Sequence, residues 1–370
     1  MGNRSRALVI ALGIFFVGVA ALAKFYAYPT LAVAPADQVA HTVSVGKDAT
    51  IFSVADLAEK KNVDLYSRRT VRGDVVAAEK ISKALNRKVV VFDTAVVTDT
   101  EKDYQFPESA SETAKAPLSF VQERVVLDAT TGESVRWNPD ASKDNSGEYI
   151  TTTLRKEDRL TPKEASPFFK GHQGLVLKFP FGTEKKRYQF WDTTTRKAYP
   201  IDFKEETKLN GLTVYRFEQD VPKQDLPLAT PLMVPGNLVG EPGMDSVEVQ
   251  RSYQNTRTLW IEPVTGAIIK GREQQLASLS YNGEAKVTAT QVQIEYDADT
   301  VKKNVEGAKE NGVDEGGYKA KAAQLHAIGF WVPLVSLIIG LLLLGVVVFF
   351  QVRPRQTAEP DDASEPAESV

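Results

Sequence analysis

Apolar residues are concentrated in one run near the end of the chain, Ala327–Phe350, which contains twenty-four residues and no charge. At about 1.5 Å of rise per residue, a helix of this length extends about 36 Å, which is enough to cross a hydrocarbon layer of about 30 Å. Trp331 lies near the upstream end of the run, where an aromatic ring suits the membrane–water interface. We therefore predict a transmembrane helix at residues 327–350.

A second apolar run, Ala7–Ala23, lies near the start of the chain and is followed by Lys24 and three aromatic residues. We interpret residues 7–28 as an uncleaved transmembrane anchor, because the aromatic residues suit the outer interface. The alternative is a signal peptide that is cleaved after Ala21-Leu22-Ala23 or Ala32-Val33-Ala34, which are both small-residue sites.

The distribution of basic residues predicts the orientation of these two spans. Arg4, Arg6 and the terminal amine outnumber Lys24, so residues 1–6 are expected in the cytoplasm. Two spans place both termini on the same side of the plasma membrane, with residues 29–325 outside the cytoplasm and 351–370 forming a disordered acidic tail inside it. The chain has no cysteine, which favours a bacterial envelope protein over a secreted animal domain. The net charge of -3 gives no indication of a nucleic-acid partner.

Between the two apolar runs, the pattern first indicates mixed structure. Ser53 is placed to cap a short helix that continues to Lys61, and 63–71 alternates as a strand. Asp74 precedes a clearer helical pattern, in which apolar residues from Val75 to Leu85 share one face. The four apolar residues that end the stretch 88–92 predict a strand that is buried on both faces.

From Phe120 onward the pattern is typical of antiparallel strands. Asn282-Gly283, which lies between two alternating runs, is a strong signal for a tight hairpin turn. Three other hairpin turns begin with an acidic residue that can accept backbone N–H groups; these acids are Asp128, Asp192 and Glu262. The predicted fold class is α+β: a large antiparallel sheet or incomplete barrel with flanking helices, set between N- and C-terminal transmembrane helices.

Motifs for catalysis are weak in this sequence. The three histidines are far apart, no cysteine accompanies them, and the chain lacks a nucleophile elbow, a phosphate loop or a dinucleotide fingerprint. Asp297-Ala298-Asp299 resembles the metal motif of glycosyltransferases, but it is more typical of a helix N-cap. We predict a protein that is not an enzyme and has no cofactor and no metal site.

Two stretches suggest a binding surface for an amphiphile with an anionic head. Arg155–Arg187 interleaves basic and aromatic residues, and Leu226–Gly240 is free of charge over fifteen residues. The alternative for each residue is a core strand with solvated flanks. An acidic loop after Asp93 similarly suggests a cation site or docking surface, with a solvated loop as the alternative. The candidate ligand-binding residues are Phe168, Phe169, Lys170, Lys178, Phe179, Phe181, Lys185, Lys186, Arg187, Leu232 and Met233.

The chain resembles the PorA family of two-anchor membrane proteins from mycolic-acid-containing bacteria. The resemblance depends on three segments: 120–132, 178–192 and Trp260-Ile261-Glu262-Pro263 with Thr265-Gly266. In plan it is also similar to the class B scavenger receptors, which carry lipid through an ectodomain between two anchors. These resemblances imply a protein that binds or transfers a lipid or lipoglycan, in support of lipomannan and lipoarabinomannan maturation or envelope assembly. The alternative is a scaffold that recruits envelope glycosyltransferases; the expected partners are therefore membrane lipids, lipoglycan and these enzymes.

Overall fold

The computed structural model describes residues 3–53, 56–104, 117–140, 143–144, 146–152, 169–227, 231–310 and 313–352. The chain divides into two compact units. One is helical and combines Met1–Leu31 with His326–Val370; the other is rich in strands and extends over Ala32–Leu325.

Two long helices form the helical unit, and both are long and apolar enough to cross a membrane. The first consists of α1 (Asn3–Leu22), a π-helical turn at Ala23–Ala27 and α2 (Tyr28–Leu31). The second contains a π-helical turn at Ala327–Trp331 and then α6 (Val332–Val352). These helices agree with the two apolar runs in the sequence.

Close packing between α1 and α6 depends on two glycines. A Cβ atom added to Gly340 would lie 2.8 Å from Cγ2 of Val17 and 2.9 Å from the carbonyl oxygen of Gly13. A Cβ atom at Gly13 would likewise lie 2.7 Å from Cγ of Leu344. Beyond this contact, the Lys24 ammonium donates to the carbonyl oxygen of Gly329 at 3.1 Å. The two helices therefore pack at a separation that larger residues at these positions would not allow.

Among the described residues, the other unit contains three α-helices, a 3-10 turn at Gly236–Val239 and all of the strands. Its helices are α3 (Val75–Leu85), α4 (Ala298–Glu306) and α5 (Tyr318–His326), the last of which continues into the second long helix. Asp74 and Asp297 accept the N-terminal amides of α3 and α4, as their positions in the sequence predict. The main strands are β1 (Val39–Ser53), β2 (Ala58–Gly73), β3 (Val89–Asp99), β4 (Ser119–Asp128), β5 (Tyr149–Thr151), β6 (Tyr188–Asp192), β7 (Lys197–Leu209), β8 (Leu212–Asp225), β9 (Leu232–Val234), β10 (Val247–Glu262), β11 (Ala267–Tyr281) and β12 (Glu284–Tyr296).

These strands form one antiparallel sheet in the order β5-β4-β3-β2-β1-β12-β11-β10-β8-β7-β6, with β9 paired to β10. A separate hairpin contains β13 (Gly307–Glu310) and β14 (Val313–Gly316). The turn between β11 and β12 is at Asn282-Gly283, where both residues have a positive φ. The sheet is curled into a half-barrel, which confirms the predicted fold class.

The predicted helix from Ser53 to Lys61 is wrong. Ser53 is instead the last residue of β1, and its hydroxyl bonds to Asp56 in the turn. Ala58 and the residues after it pair with Ser53, Phe52 and Ile51 as the start of β2. Cross-strand pairing has therefore overridden a local capping signal.

One short segment joins the two ends of the curled sheet. We call residues His172–Leu175 the seam segment. On one side the amide of Ser134, which follows β4, donates to the carbonyl oxygen of Gly174 at 2.8 Å. On the other side the amide of Trp191 in β6 donates to the carbonyl oxygen of Leu175, also at 2.8 Å. Trp191 packs in the same apolar cluster as Phe92 and Leu127, so side chains from both ends of the sheet share one core.

Candidate functional site

A buried guanidinium is the centre of the first polar cluster inside the sheet. Every second residue of β10 from Tyr253 to Ile261 is buried, and this alternation turns the charged Arg257 inward, between Asn255 and Leu259. Nε of Arg257 donates to Glu273 at 2.8 Å, and Nη2 donates to Asp192 at 3.1 Å. Nη1 donates to the side-chain oxygen of Gln219 at 2.5 Å. We call these four residues the Arg257 cluster.

The Arg257 cluster keeps its charges despite burial. Burial alone would lower the pKa of Arg257, but the charges of Glu273 and Asp192 outweigh it and raise that pKa above its ordinary value. Burial would likewise raise the pKa of Glu273, yet the neighbouring Arg257 holds it below its usual range. Every member is therefore ionised or hydrogen-bonded, as buried charges need to be.

The second polar cluster is centred on His172 in the seam segment. Its Nδ1 lies 2.8 Å from Oε1 of Glu148, and its Nε2 lies 3.2 Å from Oε2 of Glu123. The other oxygen of Glu148 accepts the backbone amide of Trp137 at 3.0 Å. We call Glu123, Glu148 and His172 the His172 clamp.

The clamp has a defined charge state. Burial would lower the pKa of His172, but its hydrogen bonds to Glu123 and Glu148 outweigh burial and raise that pKa above the ordinary value. Burial would raise the pKa of Glu123, but His172 and Arg69 hold it below its usual range. The two carboxylates contact different ring nitrogens, so they lie on opposite sides of the ring and do not converge on a metal position. Among the described residues, no group of three or more potential ligands is placed to bind a metal ion.

The acids of the three hairpin turns act as turn caps. Asp128 accepts the amides of Thr130 and Thr131, and Glu262 accepts those of Val264 and Thr265. Asp192 accepts the amide of its own turn and also bonds to Arg257. The predicted role as caps is confirmed, and Asp192 has a second role within the Arg257 cluster.

Part of the predicted ligand surface, residues 178–181, lies between two of these turns. We call this segment the wedge. The amide of Phe179 donates to Gly266 at 2.8 Å, and the amide of Phe181 donates to Thr130 at 3.2 Å. Phe179 is fully buried among the aromatic rings of β6 and β8. A Cβ atom at Gly266 would lie 2.1 Å from the carbonyl oxygen of Phe179, so this close approach requires glycine. The wedge holds the two turns together.

Lys178 begins the wedge and is an unusual lysine. Its ammonium nitrogen is buried without a hydrogen-bond partner and lies 4.1 Å from the centre of the Phe181 ring. Burial lowers the pKa of Lys178 to about 7, partly offset by the charge of Asp128.

The other predicted ligand residues are dispersed. Phe169 packs against the rings of His172 and Trp191, whereas Lys170 is exposed. Leu232 is half-buried against the cluster around β9, and Met233 is exposed. Lys185, Lys186 and Arg187 are exposed and paired with Glu206, Glu184 and Asp202, respectively. Phe168 lies outside the described residues, as does much of the acidic loop after Asp93.

Open grooves on the sheet involve other residues. One of about 610 Å³ crosses β1, β8, β10, β11 and β12 and is lined by amide side chains, among them Gln254, Gln274, Gln291 and Gln293. Another of about 430 Å³ lies near Tyr281 and Asn282. No predicted ligand residue lines either groove.

Sequence reasoning missed both polar clusters. Glu123, Arg257 and Glu273 lie on three different strands, and the sequence around each does not show that these side chains meet buried partners. The available signal is a charge at an inward position of an alternating strand, where Arg257 stands between the polar Asn255 and the apolar Leu259.

Comparison with known proteins gives one family. The family model described as Porin PorA matches residues 6–349. A protein named Porin PorA from Corynebacterium amycolatum is 23% identical over 94% of this chain and 97% of its own length. A second protein of that name, from Corynebacterium resistens, is 29% identical over 27% of this chain and 35% of its own length. The resemblance found in the sequence is therefore confirmed.

The same comparison corrects the predicted function. The family and both relatives are named as porins, so the prediction of a protein that binds or transfers a lipid or lipoglycan is wrong. The resemblance to scavenger receptors was a similarity of plan, namely two anchors around a strand-rich domain, and such a plan does not determine function.

Proposed function

This chain belongs to the Porin PorA family, and from that membership we propose that it is a channel-forming protein of the cell envelope. The observation that carries the proposal is the family match over residues 6–349, which includes both long helices and the sheet. In this proposal the protein lets solutes pass across a membrane and does not transfer lipids.

The polar character of the exposed strand positions indicates that the helices, and not the strands, cross the membrane. Strands that face lipid need an outward apolar band. Among the described residues of β1 to β12, the large apolar side chains that are strongly exposed are Val39 and Met233. Other exposed strand positions are charged or amide-bearing, for example Lys204, Glu206 and Gln291. We infer that the sheet lies in water.

A channel through the helical unit requires several copies of the chain. Two packed helices do not enclose a path for water, so we propose that the α1–α6 pairs of several copies surround the pore. In this proposal the chain crosses the membrane twice, both termini are cytoplasmic and the sheet lies outside the cytoplasm. The protein acts without catalysis, and its main partner is a further copy of itself.

Single-channel recording tests this proposal. Purified full-length protein added to a planar lipid bilayer should produce stepwise increases in conductance. Gly340→Leu should abolish the steps, because its side chain would collide with Val17 and with the backbone of Gly13. Gly345→Leu is the matched control, since no atom lies within 4 Å of a Cβ at this position. Folded wild-type protein that gives no conductance would refute the proposed function.

Cysteine labelling tests the topology separately. The chain has no cysteine, so a single introduced thiol is the only one that can react. In intact cells a membrane-impermeant maleimide should label Gln291→Cys, which is an exposed position of the sheet, and should not label Ser5→Cys. The reverse pattern would contradict the proposed orientation without bearing on conductance.

A further inference from the structure

The seam segment is the structural link between the two ends of the sheet. Leu175 bridges to Glu133 on the β4 side and to Phe190 of β6 on the other. These contacts are single bridges, whereas neighbouring strands elsewhere in the sheet share longer runs of pairs. The seam therefore has few backbone hydrogen bonds to hold it, and side-chain contacts contribute a larger share there.

Among the side chains that the structure describes at the seam, the His172 clamp provides an ionic contact. The ring of His172 is completely buried, and it is held by Glu123 from β4 and Glu148 from the segment before β5. The rings of Phe169 and Trp191 pack on it at centroid distances of 4.8 and 5.1 Å. Because apolar rings cover the clamp, water cannot replace either carboxylate if the charge on the imidazole changes.

Other charges near the clamp come from two directions. Arg69 of β2 acts on Glu123 and favours its ionised form. On the far side of Trp191, the backbone carbonyl of that residue accepts a hydrogen bond from Arg257, which is itself balanced by Asp192 and Glu273. Among the described residues near the seam, two groups can change charge close to neutral pH: His172, and Lys178, whose pKa burial lowers to about 7. Lys178 lies against the Phe181 ring and near the charge of Asp128, not against the clamp, so substitution of His172 separates the two groups.

We propose that the His172 clamp is a pH-dependent latch on the sheet: the protonated imidazole holds the seam segment closed, and loss of that proton releases it. The imidazolium donates one hydrogen bond to each carboxylate. A neutral imidazole has one N–H and one lone pair, so one of its two nitrogens then faces a carboxylate as an acceptor. The lone pair of this nitrogen and the carboxylate oxygen that faces it repel each other in the buried site. The clamp has then also lost the positive charge of the imidazolium. The contact that remains is too weak to keep the two single bridges closed, and the seam opens while the rest of the sheet stays paired.

Residue-resolved hydrogen exchange on the full-length protein in detergent micelles tests the latch. Protection factors, corrected for intrinsic exchange, are measured between pH 5 and pH 10 at the amides of Leu175 and Trp191. Both amides should lose at least about tenfold in protection as pH rises through the pKa of His172, while amides in the β10–β11 pairs keep theirs. Constant protection at the seam, or a simultaneous loss in β10–β11, would overturn the proposal.

Substitutions identify the responsible group. His172→Gln removes the charge, so seam protection should be low and independent of pH across this range. His41→Gln is the matched control, because His41 is exposed and its ring bonds to the hydroxyl of Thr70 in β2. This variant should behave as wild type.

Glu148→Gln gives a second route if His172→Gln fails to fold. It keeps the shape of the site, and its amide N–H can donate to a neutral imidazole whose other nitrogen still donates to Glu123, so the pair of facing acceptors does not form. Seam protection in Glu148→Gln should therefore fall much less than in wild type as pH rises. A loss equal to that of wild type would overturn the proposal, as would wild-type behaviour of a folded His172→Gln variant.

Discussion

The Arg257 cluster and the His172 clamp place ionised groups inside the same sheet, but they differ in how permanent those charges are. A guanidinium stays protonated at any pH that a cell meets, so the Arg257 cluster is fixed. Imidazole changes charge near neutral pH, so the clamp is conditional. The fixed cluster joins β6, β8, β10 and β11, of which the last three are paired over long runs, whereas the conditional cluster is at the seam. The comparison indicates that titratable contacts are located where the sheet has least backbone pairing.

Removal of the fixed charge should have the largest effect. Arg257→Met leaves Asp192 and Glu273 buried without their cation, and this should lower the free energy of unfolding by about 3 to 5 kcal/mol. Urea denaturation followed by circular dichroism measures the change. Arg187→Met is the matched control: Arg187 pairs with Asp202 at the surface and should give no measurable change. Equal losses of unfolding free energy in the two variants would mean that the buried ion pairs contribute no more to stability than the surface ion pair.

The clamp should make stability depend on pH in a way that the Arg257 cluster does not. The folded-state pKa of His172 is raised, so its contribution is fully present below the unfolded value of about 6.5 and is lost as pH rises through the folded value. The pKa of Glu123 is lowered, so its contribution is lost in acid as pH falls through that folded value.

The difference in unfolding free energy between wild type and His172→Gln isolates this contribution. Measured by urea denaturation at several pH values, the difference should be about 1 to 3 kcal/mol at pH 6 and should shrink as pH rises. The corresponding difference for Arg257→Met should not shrink between pH 6 and pH 9, because the two carboxylates that lose their cation become more costly to bury as pH rises. A constant difference for His172→Gln would show that the clamp is as fixed as the Arg257 cluster.

A buried acid outside both clusters, Glu262, should give the smallest effect on stability. Glu262 caps its turn as Asp192 does, but burial raises the pKa of Glu262, since its bonds to Thr265 and Val264 offset burial only in part. Glu262→Gln should therefore change the free energy of unfolding by less than about 1 kcal/mol, because removal of the charge also removes a desolvation cost. Asp192→Asn should cost more, since it weakens the bond to Arg257. Thermal unfolding of the two variants shows which loses more stability. A larger loss in Glu262→Gln would mean that the contribution of each acid to stability depends on capping its turn and not on its bond to a cation.

Local patterns in the sequence predicted the elements but not their polar contacts. The apolar runs, the caps at Asp74 and Asp297, and the turn at Asn282-Gly283 each depend on a few neighbouring residues. The start of β2 was mistaken for helix because its partner, β1, decides its conformation. Arg257 and its partners come from four strands, so their meeting depends on the curl of the sheet. No local pattern brings Glu123, Glu148 and His172 together, since the seam that joins them exists only after the sheet has closed.

The pairing of β1 with β12 has a consequence for how the protein reaches its native state. Ser53 and Glu284, which end and begin these strands, are separated by about 230 residues of chain. During synthesis, β1 to β5 can form their own hairpins early, but the free side of β1 has no native partner until almost the whole sheet has been made. An unpaired strand edge of this length is open to wrong partners, including a neighbouring nascent chain. Correct assembly thus depends on keeping that edge protected for most of the time that a ribosome needs to complete the polypeptide.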